Sequence, residues 1–122
     1  SNSVKEAGRR LVLRTDGFAS LHAGWEGGEM QTHPLTFSGS RLELNYAASA
    51  AGSLRVEVQT AAGEPLPGYT LAECPAIVGD QISRLVRWQG GEDVSALAGR
   101  PLRLRFVLRD ADLFSLCFTN PA

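Results

Sequence analysis

The chain has 122 residues, with 12 basic and 13 acidic side chains and a formal net charge of −1. This is the size of one domain with one core, and a chain of this length buries enough surface to fold without a metal or a disulfide. The charge balance argues against duplex DNA, RNA or an anionic membrane as the main partner. No stretch is long and apolar enough to cross a membrane as a helix, and nothing near the start has the layout of a signal peptide.

Residues 1–8 carry no core pattern, and Ser1-Asn2-Ser3 has the look of a cloning scar. We therefore expect 1–8 to be a flexible arm or cloning remnant, with a single domain over 9–122. Two-residue alternation, the mark of half-buried sheet, then recurs four times. Leu11 and Leu13 alternate with Arg10, Val12 and Arg14. Leu42, Leu44 and Tyr46 alternate with Arg41, Glu43 and Asn45, and Leu54, Val56 and Val58 alternate with Arg55, Glu57 and Gln59. Leu102, Leu104, Phe106 and Leu108 alternate with Arg103, Arg105, Val107 and Arg109. Weaker patterns predict strands over Phe18–Ala23, Leu35–Phe37, Ile82–Trp88 and Leu113–Phe118.

No long window has a 3.6-residue apolar period, and 13 glycines and 6 prolines break the chain into short pieces. One helical turn is expected over Val94–Ala98, with Asp93 at its start, Gly99 at its close and Pro101 as its stop. Short strands without covering helices imply two sheets packed face to face. The fold class is thus all-β, an antiparallel β-sandwich of jelly-roll type with at most one or two helical turns. Charge pairing further predicts a hairpin that joins Arg41–Tyr46 to Ser53–Gln59. In it Arg41 faces Glu57 and Glu43 faces Arg55.

Signatures of catalysis are sparse. The sequence has no HExxH, no phosphate-binding GxxxxGK[ST], no GxSxG and no EF-hand loop. The run Gly24-Trp25-Glu26-Gly27-Gly28-Glu29 lacks the lysine of a phosphate cradle and reads as a surface loop. An aromatic among acids on such a loop suits a sugar ring, so Trp25, Glu26 and Glu29 are the candidate carbohydrate-binding residues. His22 and His33 have no recognisable catalytic partner and read as structural or exposed histidines. Asp110 and Asp112 are the nearest carboxylate pair for glycoside hydrolysis, followed by Glu26 with Glu29. The simpler reading of Asp110-Ala111-Asp112 is a polar turn, with Ca²⁺ as a weakly supported ligand; no other cofactor and no metal site is expected. Trp88 is expected in the core. Arg103, Arg105 and Arg109 read as a solvated strand face whose charge neighbouring acids offset. Eleven of the twelve basic residues are arginine, for which a base-composition bias of the genome is the simpler account. Cys74 and Cys117 are too far apart in sequence for a CxxC pair, and the unpaired state is favoured over a single long-loop disulfide.

The order of segments carries a further signal. It runs from Arg14-Thr15-Asp16-Gly17-Phe18-Ala19-Ser20-Leu21 through Leu42-Glu43-Leu44-Asn45-Tyr46 and Gly52-Ser53-Leu54-Arg55-Val56-Glu57-Val58 to Pro65-Leu66-Pro67-Gly68-Tyr69. Gly79-Asp80, Val86-Arg87-Trp88-Gln89-Gly90-Gly91, Leu97-Ala98-Gly99-Arg100-Pro101-Leu102-Arg103-Leu104-Arg105-Phe106 and Ala111-Asp112-Leu113-Phe114-Ser115-Leu116 follow. Over roughly residues 10–118 this resembles the C-terminal β-sandwich module of large bacterial glycoside-hydrolase-like proteins that carry a fructosidase-like β-propeller in front. The resemblance implies a sandwich fold and a propeller partner in the same parent protein. It also implies an extracellular or periplasmic location, and catalytic carboxylates in the propeller rather than here.

The expected function is that of a non-catalytic accessory module that packs on the propeller domain and contacts carbohydrate. An autonomous lectin-like sugar binder is the alternative, and a small glycosidase the least favoured. The chain by itself is not expected to be an enzyme.

Overall fold

The computed structural model describes residues 4–7, 10–13, 18–24, 27–79 and 81–120. Their regular structure is almost entirely antiparallel β. The strands are β1 (Val4–Ala7), β2 (Arg10–Leu13), β3 (Phe18–Gly24), β4 (Gly27–Thr32), β5 (Arg41–Thr60), β6 (Gln81–Leu85) and β7 (Leu102–Thr119). Two 3₁₀ turns, Leu71–Glu73 and Ser95–Leu97, are the helical elements among the described residues.

β5 and β7 form the axis. They pair antiparallel from Arg41↔Thr119 to Ala48↔Ala111, and again from Ser53↔Arg109 to Thr60↔Leu102. Where the register breaks, residues 49–52 of β5 lie against Asp110 alone on β7, so the longer side bulges and the pair bends. Two residues make this bend possible. Gly52 brings its backbone so close that an added Cβ would stand 2.3 Å from the Asp110 carbonyl oxygen. Asp110 takes φ 48, a left-handed conformation that Asp tolerates better than most residues, and its carboxylate accepts a hydrogen bond from the Ser49 hydroxyl.

The bend divides the ladder into two arms. Before it on β5, the paired strands run β1, β2, β7, β5, β6: β2 joins β7 at Arg10↔Cys117, and β6 joins β5 at Glu43↔Leu85. Beyond it the array is four-stranded, β3, β4, β7, β5, with Gly28↔Leu108 to Gln31↔Arg105 linking β4 to β7. Apolar alternation holds through both arms. Leu42, Leu44 and Tyr46 of the first arm join Leu54, Val56, Val58, Leu104 and Phe106 of the second in one buried cluster. Phe37 stacks on Phe118 with ring centroids 4.0 Å apart, and Trp88, 3% exposed, donates its indole N–H to the Val56 carbonyl at 3.0 Å. The tryptophan thus fills the core, as expected.

Several sequence expectations need correction. The hairpin between Arg41–Tyr46 and Ser53–Gln59 does not form, because the two segments are halves of the single strand β5. The alanine-rich stretch between them stays extended, and β7 gives both halves a partner of full length that a hairpin cannot offer. Arg41 consequently lies 3.9 Å from Glu92, not against Glu57. The expected turn at Asp110-Ala111-Asp112 is instead the kink within β7, with Ala111 opposite Ala48 and Asp112 opposite Ala47. Val4–Ala7, expected in an arm, pairs with Arg10–Leu13 as β1. The glycine-rich run expected to be a loop contributes Gly27, Gly28 and Glu29 to β4. Leu35–Phe37 is reduced to one bridge, Leu35↔Leu102.

The small helical turn follows the sequence more closely. Ser95 donates its backbone N–H to the Asp93 carboxylate at 2.9 Å, and Gly99 closes the turn at φ 86. Hydrogen bonds from Ser95, side chain first and then backbone, hold the Asp93 carboxyl below its ordinary pKa.

Candidate functional site

Opposed residues in an antiparallel ladder share a face, so the register of the four-stranded array defines its outer surface. Across β5, β7 and β4 one row reads Arg55, Val107, Glu29 and the next reads Glu57, Arg105, Gln31. Ser53 with Arg109 and Gln59 with Arg103 flank these rows. Every one of these positions is odd-numbered, whereas the even positions Val56, Val58, Leu104 and Phe106 fill the core. Alternation alone therefore separates a polar face from an apolar one.

Arg105 is the hub of this face. Its Nε lies 2.5 Å from Glu29 Oε1, and its Nη1 lies 3.5 Å from Glu57 Oε2, so one guanidinium links three strands. The hydrogen bond to Glu29 is the main reason its already high pKa rises further, which fixes it as a cation. Glu57 is only 5% exposed at its side chain, and its remaining acceptor capacity is used. Its Oε1 accepts the Leu71 backbone N–H at 3.2 Å, and its Oε2 accepts the Gln59 amide at 2.8 Å. Gln59 in turn accepts from the Gln31 amide at 2.6 Å. At the next position Arg103 donates to the carbonyls of Ala61 at 2.8 Å and Thr32 at 3.2 Å. The result is a row of planar polar groups whose orientations are set by one another, with Glu29 and Arg105 still open to solvent.

Of the residues nominated from sequence, Glu29 belongs to this row, while Trp25 and Glu26 lie outside the described residues. β3 and β4 pair as far as Gly24↔Gly27, and His22 stands opposite Glu29 in that ladder. His33 is exposed. Arg105 is offset by acids from neighbouring strands, as the arginine pattern led us to expect, although Arg103 is bonded to carbonyls rather than to carboxylates. Glu57, Gln59 and Gln31 were not nominated as site residues from the sequence. Their parity marked them as outward-facing, but their convergence depends on β4, which carries Met30 as its one large apolar side chain and so shows no alternation.

Cys74 and Cys117 are not joined by a disulfide. Cys74 is buried, and that burial pushes its thiol pKa up against smaller opposing effects of the Val56 backbone and Arg55. Among the described residues no three of His, Cys, Asp and Glu converge as a metal site would require, and no helix is long and apolar enough to cross a membrane. No family model matches the chain, and searches of curated proteins and of solved structures likewise found no match.

Proposed function

We propose that this chain is a non-catalytic β-sandwich module of a larger, glycoside-hydrolase-like bacterial protein acting outside the cytoplasm, and that its outer polar face meets carbohydrate. The observation that carries the reading is the interlocked row of Glu29, Arg105, Glu57, Gln59 and Gln31. Sugar hydroxyls are recognised by planar carboxylate, amide and guanidinium groups held in place before the ligand arrives, because little side-chain entropy is then lost on binding. Glu29 and Arg105 offer such groups at the solvent boundary, and the buried Glu57 and Gln59 hold them from behind.

Two further observations fit. Residues from both arms of the bent β5/β7 ladder enter one apolar cluster, which suits two sheets closing on each other in a jelly-roll manner. Phe114, 54% exposed where β7 bulges between Leu113 and Ser115, is suited to contact with a neighbouring propeller-like domain. The carboxylates of the polar row are engaged with Arg105 and with amides, an arrangement for holding a ligand rather than for moving a proton onto a glycosidic oxygen.

The test is a titration of the isotope-labelled chain with neutral mono- and oligosaccharides at millimolar concentration, followed by amide chemical shifts. Perturbations should concentrate at residues 29–31, 55–59 and 103–107 and shrink in Glu29→Gln. Absence of any shift, or shifts elsewhere that Glu29→Gln leaves unchanged, rejects the carbohydrate reading. Turnover of glycosides by this chain alone rejects the non-catalytic one.

A further inference from the structure

The polar face is unevenly charged. Its described side chains include four arginines, Arg55, Arg103, Arg105 and Arg109, and two carboxylates, Glu29 and Glu57, so the face sums to 4 − 2 = +2 within a chain of net charge −1. The excess is not spread evenly. Arg103 is committed to two carbonyls and Arg105 to two carboxylates. Arg55 and Arg109 are both exposed and have no hydrogen-bonding or ion-pairing partner among the described residues. They are diagonal neighbours across the β5/β7 ladder, since Ser53 opposes Arg109 and Arg55 opposes Val107. Diagonal positions of this kind stand about 7–8 Å apart, within reach of long side chains.

We infer that Arg55 and Arg109 form the anion-binding end of the carbohydrate face, and that the ligand is an acidic saccharide bearing carboxylate groups. This rests on the reading of the face as a sugar site. A guanidinium fork matches a carboxylate with two parallel N–H···O bonds, and it sheds water more readily than an ammonium group. The half-buried Val107, opposite Arg55 and two positions along β7 from Arg109, gives the sugar ring an apolar floor, and Glu29 at the other end of the Arg55–Val107 row accepts from ring hydroxyls. A uronate unit lying along the row would thus meet cations at one end and hydrogen-bond acceptors at the other. The compactness of the basic pair and the chain's overall negative charge disfavour a long nucleic-acid duplex, which needs many phosphate contacts for useful affinity.

The probes are polygalacturonate and its fully methyl-esterified form, which share the sugar backbone and differ at each unit in carrying a carboxylate or its neutral methyl ester, tested with the full chain at about 50 and 300 mM NaCl. The free acid should bind at least about tenfold more tightly than the ester at low salt, and the margin should narrow at high salt. The double variant Arg55→Gln/Arg109→Gln changes two exposed side chains and should keep the native melting temperature. It should erase the preference for the acid while leaving the weak binding of the ester in place. Arg100→Gln, at an exposed position outside this face, should leave both affinities unchanged.

Equal affinity for the two polymers overturns the acidic-sugar assignment and leaves the carbohydrate reading standing. Binding of neither polymer overturns both. A loss of binding free energy in Arg100→Gln of half that in the double variant or more overturns the location, because attraction would then follow net charge, of which the single variant removes one unit and the double variant two. Tighter binding of a short DNA duplex than of polygalacturonate, abolished in the double variant, overturns the ligand class.

Discussion

The two halves of β5 present the same inner face and opposite outer ones. Leu42, Leu44 and Tyr46 in the first half and Leu54, Val56 and Val58 in the second are all buried. Outward, Arg41, Glu43 and Asn45 are partly exposed, whereas Glu57 and Gln59 are as buried as core residues. The primary pattern is identical, so what differs is the neighbourhood. Glu43 lies between Leu85 and Cys117, neither of which brings a charge, while Glu57 lies opposite Arg105 and receives the backbone N–H of Leu71. A polar residue on the outer face of a strand is a surface residue only if the strands beside it leave it so.

The largest test of this contrast concerns the face that the two halves share. Phe106→Ala should lower unfolding free energy by about 3–5 kcal/mol, and Leu44→Ala, in the other arm, by about 2–5 kcal/mol. Guanidinium denaturation followed by tryptophan fluorescence should give one cooperative transition for each variant. Two separated transitions would mean that the arms have independent cores.

The outer faces should respond differently. Glu57→Ala strands the Leu71 N–H, the Gln59 amide and part of Arg105, and should cost about 1–3 kcal/mol, less than a fully buried ion pair because the Arg105 side chain is 30% exposed. Glu43→Ala should stay within about 0.5 kcal/mol of the parent. Equal effects at the two positions would abolish the distinction. At the junction of the halves, Gly52→Ala drives a methyl into the Asp110 and Arg109 carbonyls and should cost about 1–3 kcal/mol. A neutral Gly52→Ala would mean that the bend relaxes freely.

The smallest effect lies outside both halves. Because the folded pKa of Asp93 is lowered, its stabilising contribution is complete above the unfolded carboxyl pKa, about 4, and fades as pH falls through the folded value. Melting temperature should therefore drop slightly less between about pH 4 and pH 2 in Asp93→Asn than in the parent. Identical profiles would show that the bonds from Ser95 do not favour the ionised form.

What the sequence revealed, and what it hid, follows from the range over which each feature is determined. Alternation at Leu42–Tyr46, Leu54–Val58 and Leu102–Leu108 is local, and it located three stretches of strand and their buried faces. Asp93 and Gly99 bracketed a turn because their preferences act on the nearest backbone. The union of two strands into β5 was hidden, since it depends on β7 far along the chain, and local charge pairs made a hairpin equally reasonable. β4 escaped notice because two glycines and alternating Glu, Met, Gln and Thr make a strand only when β7 supplies its edge. Glu29 was nominated as a loop residue for its acidity. Its actual company, Arg105 and through it Glu57, comes from ladder register, which no local pattern encodes.

The bent ladder also has a consequence for how the chain reaches its native state. Thr60 and Leu102 are partners at one end of the ladder, although 102 − 60 = 42 positions separate them, and Arg41 meets Thr119 at the other end across nearly twice that span. Neither half of β5 acquires its central neighbour until β7 has left the ribosome. Loop closure over such spans is entropically costly before any contact rewards it, so folding should be slow for this chain length and concentrated in one late step. A nascent chain stopped short of β7 would hold β5 against β6 and the 65–77 segment along one edge only, with the other edge open and Leu104, Phe106 and Leu116 missing from the apolar face that Leu42, Leu44, Leu54 and Val56 present.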